Sequence, residues 1–305
     1  VKKTEENLFV PYDFCNFAKK ISLFIMQDEK IPLIDCPIDY IFGEASGKIL
    51  NEYGRFPCKI QCAVYAFMVK GNARATLNIT RFEIKENDLI YVKPGSFLLV
   101  HDFSEDARLV YIVFSSSFVE KNAYGMRRFS LPSQSFNPIV HLNKDQSQVV
   151  IQFSDLLTNA INSTPSMLSV DSMVHIFNTI QQTYIELFTS MDNRQSHLQD
   201  RKTEIFQEYS DLVMRHYHEW HHVAEYAEAL CITVPHLCST IKAASGRTAG
   251  DIIVDAILMD AKAQLKITTL PIKEIANILG FENVAFFNRF FKTHVGVTPK
   301  HYRNN

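Results

Sequence analysis

Apolar residues recur along this chain with two different periods, and the change of period divides it. Between Ile31 and Ser115 short apolar runs (Ile38–Phe42, Ile60–Val69, Ala75–Ile79, Leu89–Val92, Phe97–Val100 and Leu109–Phe114) alternate with breakers at Gly71-Asn72, Glu86-Asn87-Asp88 and Pro94-Gly95. Closely spaced runs of this kind predict an antiparallel sandwich or small barrel. Ahead of them, Phe14, Phe17, Ala18, Ile21 and Ile25 fall near helical spacing and predict an N-terminal helix. Residues 116–145 read as polar and irregular, with Pro132 and Pro138. The period then becomes helical. Val149, Val150, Phe153, Leu156, Leu157 and Ile161 predict an amphipathic helix over Gln146–Asn162, ended by Ser163-Thr164-Pro165.

A second helix starts at Ser169 or Asp171 and runs to about Thr189. Its apolar residues Met173, Phe177, Ile180, Tyr184 and Leu187 are spaced 4, 3, 4, 3, the seam of a helix that pairs with a partner. That partner is either the rest of the same domain or a second chain, and the spacing serves both. Residues 191–202 (MDNRQSHLQDRK) are nearly free of apolar side chains and read as a linker. Glu204–Tyr217 follows as a helix with Ile205, Tyr209, Leu212, Val213 and Tyr217 on its core face.

The stretch Pro271–Arg303 carries most of the information. Ile272, Ile275, Ala276 and Leu279 predict a short helix, with Pro271 in its first turn and Gly280 as its left-handed stop. Asn283 is a good N-cap for a second helix, whose buried stripe is Phe287, Phe290 and Phe291. Val284, Ala285, Asn288 and Arg289 fall on its outer face. An ordinary helical hairpin would share this pattern. A second copy argues for something more. Ala276-Asn-Ile-Leu-Gly280 is matched 49 residues upstream by Ala227-Glu-Ala-Leu-Cys231, and Phe291-Lys292 with Gly296-Val-Thr298 is matched 50 residues upstream by Ile241-Lys242 with Gly246-Arg-Thr248. The copies are joined by a helical stretch, Asp251–Ile267, with Ile253, Ala256, Ile257, Ala261 and Leu265 as apolar positions. Ala227 and Ala276 are small because two helices cross closely there.

On these residues the stretch from about Thr203 to Arg303 resembles the DNA-binding domain of the AraC (arabinose-regulator) family of transcription factors. GFENVAFFNRFFKTHVGVTPKHYR is similar to that family's second helix-turn-helix signature nearly throughout. The resemblance implies seven helices and two recognition helices, each entering the major groove. The first copy departs from the pattern: Cys231 stands where Gly is usual and Ile241 where Phe is usual. Met259-Asp260 precede Ala261-Lys262 where an Arg is usual. Ahead of such a domain, the strand-rich half resembles the family's cupin-like sensing domain, with Phe82–Phe97 (FEIKENDLIYVKPGSF) similar to its strand, acidic turn, strand, Pro-Gly hairpin. The implied fold class is a two-domain α+β chain, with a β-rich cupin-like barrel and following helices ahead of an all-α domain. The implied divisions are 1–145 for sensing, 146–190 for a helical dimerisation or packing segment, 191–202 for the linker and 203–305 for DNA binding.

Charge fits that division. From Cys231 onward there are nine Lys or Arg against five Asp or Glu, and before it 22 against 28. A basic end on an acidic protein suits DNA binding by one domain. No apolar run of about 18 residues exists, so no membrane span is expected, and no N-terminal signal is visible. A cytoplasmic protein follows. Cys15, Cys36, Cys58, Cys62, Cys231 and Cys238 form no C-x-x-C pair and read as free thiols. His216, His218, His221 and His222 cluster at a helix end; solvated histidines there compete with a metal site. A catalytic cupin needs several His and a carboxylate on one metal, and residues 31–115 hold only His101. No cofactor is implied.

The resemblance also assigns contacts. In the first copy these are Thr233 as N-cap, Pro235, Cys238 and Ser239, short side chains limited to thymine methyls and weak hydrogen bonds, with Lys242 for phosphate. In the second they are Asn283, Val284 and Ala285, with Asn288 and Arg289 as polar readers. Lys292, Lys300 and Arg303 would attract phosphate, which positions without specifying. Arg289 has an alternative as a surface ion pair with Glu282 or Glu274. Dimerisation through Met173, Phe177, Ile180, Tyr184 and Leu187 would let two chains read a repeated site. The implied partners are double-stranded DNA, a second copy of the chain, a small-molecule effector and RNA polymerase. The competing readings are a cupin-type enzyme tethered to a DNA-binding module and a regulator that needs no ligand.

Overall fold

The computed structural model describes residues 33–36, 38–47, 57–122, 138–163, 168–195 and 201–304. The expected helix at residues 14–25 and Cys15 lie outside them. Among the described residues ten strands form two five-stranded sheets, as the alternation of short apolar runs and breakers predicts. One has the order β1 (Leu33–Ile34), β3 (Cys58–Ile60), β8 (Ser96–Phe103), β5 (Asn72–Leu77), β6 (Thr80–Lys85). The other has the order β10 (Ile139–His141), β7 (Asp88–Val92), β4 (Ala63–Lys70), β9 (Arg108–Phe114), β2 (Tyr40–Ser46). Every pair is antiparallel except β1 with β3. Ile41, Ala66, Met68, Ala75, Val92 and Val113 belong to the core that the strands share.

Three local expectations are corrected here. The run Ile60–Val69 breaks at Gln61-Cys62, and its halves, β3 and β4, join different sheets. Phe82–Phe97 is not a hairpin: β6 pairs with β5 and β7 pairs with β4 and β10, so the chain crosses from one sheet to the other at Glu86-Asn87. Asn87 takes φ +72° there and its N–H donates to the Met68 carbonyl, 2.9 Å. A turn rich in Asn and Asp is compatible with a hairpin or a crossing; only the partner of each strand decides. The stretch read as irregular from 116 opens with a helix, α1 (Ser116–Asn122), which buries Phe118 and takes a hydrogen bond from Phe118 N–H to Ser115 Oγ at 3.1 Å. Its polar composition hid one buried aromatic.

Helix α2 (Lys144–Asn162) starts at an Asn143/Gln146 capping box with bonds of 2.9 and 3.0 Å. Helix α3 (Val170–Gln195) covers the second sheet. Here the dimerisation expectation is corrected. Met173, Phe177 and Tyr184 are buried against this chain's own Tyr65, Tyr91, Phe114 and Phe118, and Ile180 and Leu187 are half-buried on the same cluster. The Phe177 and Phe114 ring centroids are 4.6 Å apart, and those of Tyr184 and Tyr91 are 5.3 Å apart. Strands β4, β7 and β9 are apolar on both faces, so their outer face needs a cover, and the 4, 3, 4, 3 stripe supplies it. The linker also differs from 191–202. Helix α3 continues to Gln195 and the next begins at Arg201. A polar stretch without Gly or Pro carries no stop signal, so the helix runs beyond its buried stripe.

The C-terminal domain holds α4 (Arg201–His216), α5 (Val223–Ala229), α6 (Val234–Ser245), α7 (Ala249–Ile267), α8 (Ile272–Ile278), α9 (Val284–Val295) and α10 (Pro299–Asn304). These are the seven helices that the resemblance implies. Helix α7 is the axis of the domain: Ile252, Ile253, Ala256, Ala261, Ala263 and Leu265 are buried. The Tyr209 hydroxyl on α4 donates to the Ala249 carbonyl at 2.7 Å. The two domains meet where Phe97 of β8, with no exposed surface, enters this helical core at 6.2 Å from the Tyr217 ring. Asn78, at φ +55°, holds Phe97 by its backbone: Phe97 N–H donates to Asn78 Oδ1 at 2.9 Å and Asn78 N–H donates to Phe97 O at 2.7 Å.

Candidate nucleic-acid interface

The two helix-turn-helix copies are built alike. Helix α5 ends at Leu230, and Cys231 N–H and Ile232 N–H donate to Glu228 O and Ala227 O at 2.9 and 3.0 Å. Helix α8 ends at Leu279, and Gly280 N–H and Phe281 N–H donate to Asn277 O and Ala276 O at 3.1 and 2.9 Å. Both turns need a left-handed residue. Gly280 has φ +79° and Cys231 has φ +54°, so the cysteine takes the glycine conformation at the cost of Cβ crowding. Ala227 and Ala276 are buried at the helix crossing, as their size predicts.

Thr233 and Asn283 cap the recognition helices α6 and α9. Thr233 Oγ1 accepts from His236 N–H at 3.4 Å, and Asn283 Oδ1 accepts from Ala285 N–H at 2.7 Å. Their side chains therefore set the helix starts, whatever else they touch. Leu237 and Ile241 in α6, and Phe287 and Phe291 in α9, have no exposed surface. Both helices end on left-handed glycines, Gly246 and Gly296. The copies are also braced together. His221 Nε2 lies 2.9 Å from the Leu279 carbonyl, its ring lies 5.1 Å from Phe281, and a Cβ on Gly280 would come within 2.2 Å of His218 O. The histidine cluster thus joins the loop before the first copy to the turn of the second. Among the described residues no three His, Cys, Asp or Glu side chains converge as for a metal ion.

The outer faces are now defined. On α9 Ala285 and Arg289 are exposed and Val284 and Asn288 are half-buried. On α6 Pro235 and Ser239 are exposed and Cys238 is half-buried, and the Ser239 hydroxyl is engaged with His236 O at 2.9 Å. Lys242, Lys292 and Lys300 are exposed, and Lys242 Nζ donates to Gly246 O at 2.7 Å. Arg289 has no ion pair to Glu274 or Glu282 among the described residues; its guanidinium lies 5.5 Å from the Phe286 ring centroid. Arg303 is corrected. Its Nη2 donates to Leu270 O at 2.6 Å and its Nε to Leu265 O at 3.4 Å. The guanidinium closes the C-terminal end of α7 and is not a free phosphate ligand.

Two features escaped sequence reasoning. Phe286 is 60% exposed. A helical wheel at about 100° per residue places it about 60° from Arg289 but only about 40° from the half-buried Phe290, so periodicity alone groups it with the phenylalanine stripe. The second feature is charge at the helix starts. Helices α4, α5, α7 and α8 carry Glu204, Glu225, Asp251 and Glu274 in their first turns, whereas α6, α9 and the short α10 carry no acid there. A carboxylate stabilises a helix N-terminus, and its absence leaves those N–H groups compatible with phosphate. Elsewhere, burial pushes the Cys36 and Cys58 thiols up to about 12, so neither is a reactive thiolate.

Residues 226–305 match a family model described as a helix-turn-helix domain. An uncharacterized HTH-type transcriptional regulator of Staphylococcus aureus is 22% identical over 228 residues, 75% of this chain and 27% of that protein. The chain thus spans about a quarter of the length of such curated relatives. The probable transcription factor PqrA of Proteus vulgaris is 34% identical over 70 residues, 23% of this chain and 57% of that protein. Among solved structures, ToxT from Vibrio cholerae aligns over 87% of this chain and 97% of its own at 15% identity and a TM-score of 0.39. With its duplicated turns, capped recognition helices and family match, the C-terminal domain of this chain is a helix-turn-helix domain.

Proposed function

We propose that the chain is a sequence-specific DNA-binding transcription regulator, in which the strand-rich domain governs the tandem helix-turn-helix domain. One observation carries this reading: two recognition helices, each with an acid-free first turn and an exposed outer face, share one core with the largely buried helix α7 that joins the two copies. At about 1.5 Å per residue α7 is about 28 Å long. That approaches the separation of about 34 Å between successive major grooves on one face of DNA. Arg289 and Asn288 supply polar reading, Pro235, Cys238 and Ser239 short contacts, and Lys242, Lys292 and Lys300 phosphate attraction. The protein acts in the cytoplasm without catalysing a reaction, and an activator of this class reaches RNA polymerase from its DNA site. Incubating the full chain with a random duplex pool tests the reading. Enrichment of one motif supports it, and retention of duplexes with no common motif contradicts it.

Effector control has its own support. A cleft of about 90 Å³ lies between the first sheet and α4, lined by Leu77, Ile79, Lys93, Phe206, Gln207 and Met214. Gln207 Oε1 is buried there without a hydrogen-bond partner. Sites for drug-sized ligands run from about 300 to 1,000 Å³, so a larger effector would part the domains, and that motion is what a sensor needs. The homodimer uses α2 in place of α3: Val149, Phe153 and Leu156 form an exposed stripe at i, i+4 and i+7, and an isologous pair would cover it on both chains.

A further inference from the structure

We infer that this chain selects A·T-rich duplexes and reads them chiefly through the C5-methyl groups of thymine, with Phe286 as the main contact. The inference rests on the DNA-binding reading above and names the class of site. Its basis is the chemistry of the two outer faces. Six large hydrophobic side chains are exposed among the described residues, and two of them, Val234 at 38% and Phe286 at 60%, lie in the first turn of the two recognition helices. The copies correspond residue by residue: Val234 and Val284 each follow the N-cap, Pro235 matches Ala285, and His236 matches Phe286. A single exposed phenylalanine is unremarkable on a protein surface. Val234 with Val284 and Pro235 with Ala285 make the start of both recognition helices apolar, and Phe286, whose counterpart is His236, adds a large exposed ring to the second copy alone.

The polar alternatives are few. On α6 the Ser239 hydroxyl is already donated to His236 O, and Pro235 and Cys238 lack the reach for bidentate pairing. On α9 Asn288 suits adenine, the partner of thymine. Arg289 could pair with guanine, and its guanidinium is held at 5.5 Å over the Phe286 ring. The two side chains therefore present one surface, an apolar ring edge beside a cation. In the major groove only thymine offers a methyl group to such a ring.

The test uses the full chain and the duplex it enriches most strongly. Each thymine is replaced by deoxyuridine, which removes the methyl group and keeps base pairing. The expected result is a loss of about fourfold in affinity per contacted methyl, the transfer value of one buried methyl group, in two clusters one helical turn apart. Phe286→Ala should abolish the deoxyuridine penalty in one cluster, and Phe286→Leu should retain it. Circular dichroism checks that both variants fold, as an exposed site predicts. Selective binding that is indifferent to every deoxyuridine overturns the inference and leaves the DNA-binding reading standing. Failure to enrich any duplex removes both.

Discussion

The Tyr217 hydroxyl donates to Asp260 Oδ2 at 2.8 Å, and Gln264 Nε2 donates to Asp260 Oδ1 at 3.1 Å, inside the C-terminal core. Lys59 and His218 bear on the same carboxylate from β3 and from the loop after α4. Burial raises the Asp260 pKa above its ordinary 3.8, against the two hydrogen bonds and the charges of Lys59 and His218, which lower it. The folded chain therefore holds the proton more tightly than the unfolded chain. This group's contribution is fully present below 3.8 and is lost as the pH rises through the folded value. Asp260→Asn removes the penalty for charging, and its amide can donate to Gln264 Oε1, which is buried without a partner. The melting temperature of the variant minus that of the wild type should be larger at pH 7 than at pH 4. A difference independent of pH would show that the carboxyl is not perturbed.

The turns of the two copies make opposite predictions. Cys231 is exposed and left-handed, a conformation that costs a non-glycine residue about 1–2 kcal/mol. Cys231→Gly relieves it and gives back about 0.5–1 kcal/mol of unfolded-chain entropy, for a small net stabilisation. Gly280→Ala gains the strain and drives a Cβ to 2.2 Å from the His218 carbonyl, so it should destabilise by more than about 2 kcal/mol. Chemical denaturation of the two variants checks the signs.

Phe177 tests the role of α3. Buried on Phe114 and Phe118, it should cost about 3–5 kcal/mol on truncation to Ala. Phe177→Lys should unfold the N-terminal domain. A folded monomer from that variant, seen by sedimentation and circular dichroism, would restore α3 as the interface.

Arg303 and Lys300 should separate. Arg303→Ala orphans two carbonyls and should lose about 1–3 kcal/mol of stability, with the salt dependence of DNA binding unchanged. Lys300→Ala should leave stability alone and reduce the salt slope by about 1.

The helical domain was legible because its signals are local. Left-handed stops, N-caps and the 49- and 50-residue repeat place both copies without reference to the rest of the chain, and Gly280, Gly246 and Gly296 all take positive φ. What a stripe packs against is not local, so Met173–Leu187 could be recognised as a seam but not assigned to the second sheet. The same holds for Phe82–Phe97, whose turn residues fit a hairpin as well as a crossing. Arg303 shows the limit for sites: a basic residue near a recognition helix reads as a phosphate ligand until the carbonyls beside it are seen. Phe286 lies about 40° from the half-buried Phe290 on a helical wheel, so periodicity alone could not separate it from the phenylalanine stripe.

DNA binding through the second recognition helix is tested most directly by Arg289→Ala. The affinity of the full chain for its enriched duplex is measured by fluorescence anisotropy at fixed salt, beside a scrambled duplex. Arg289 is exposed and its guanidinium rests on an exposed ring, so the variant should fold. It should lose about 1–3 kcal/mol of binding to the enriched duplex and less to the scrambled one. A folded variant with unchanged affinity for the enriched duplex would contradict the assignment of α9 as the reading helix.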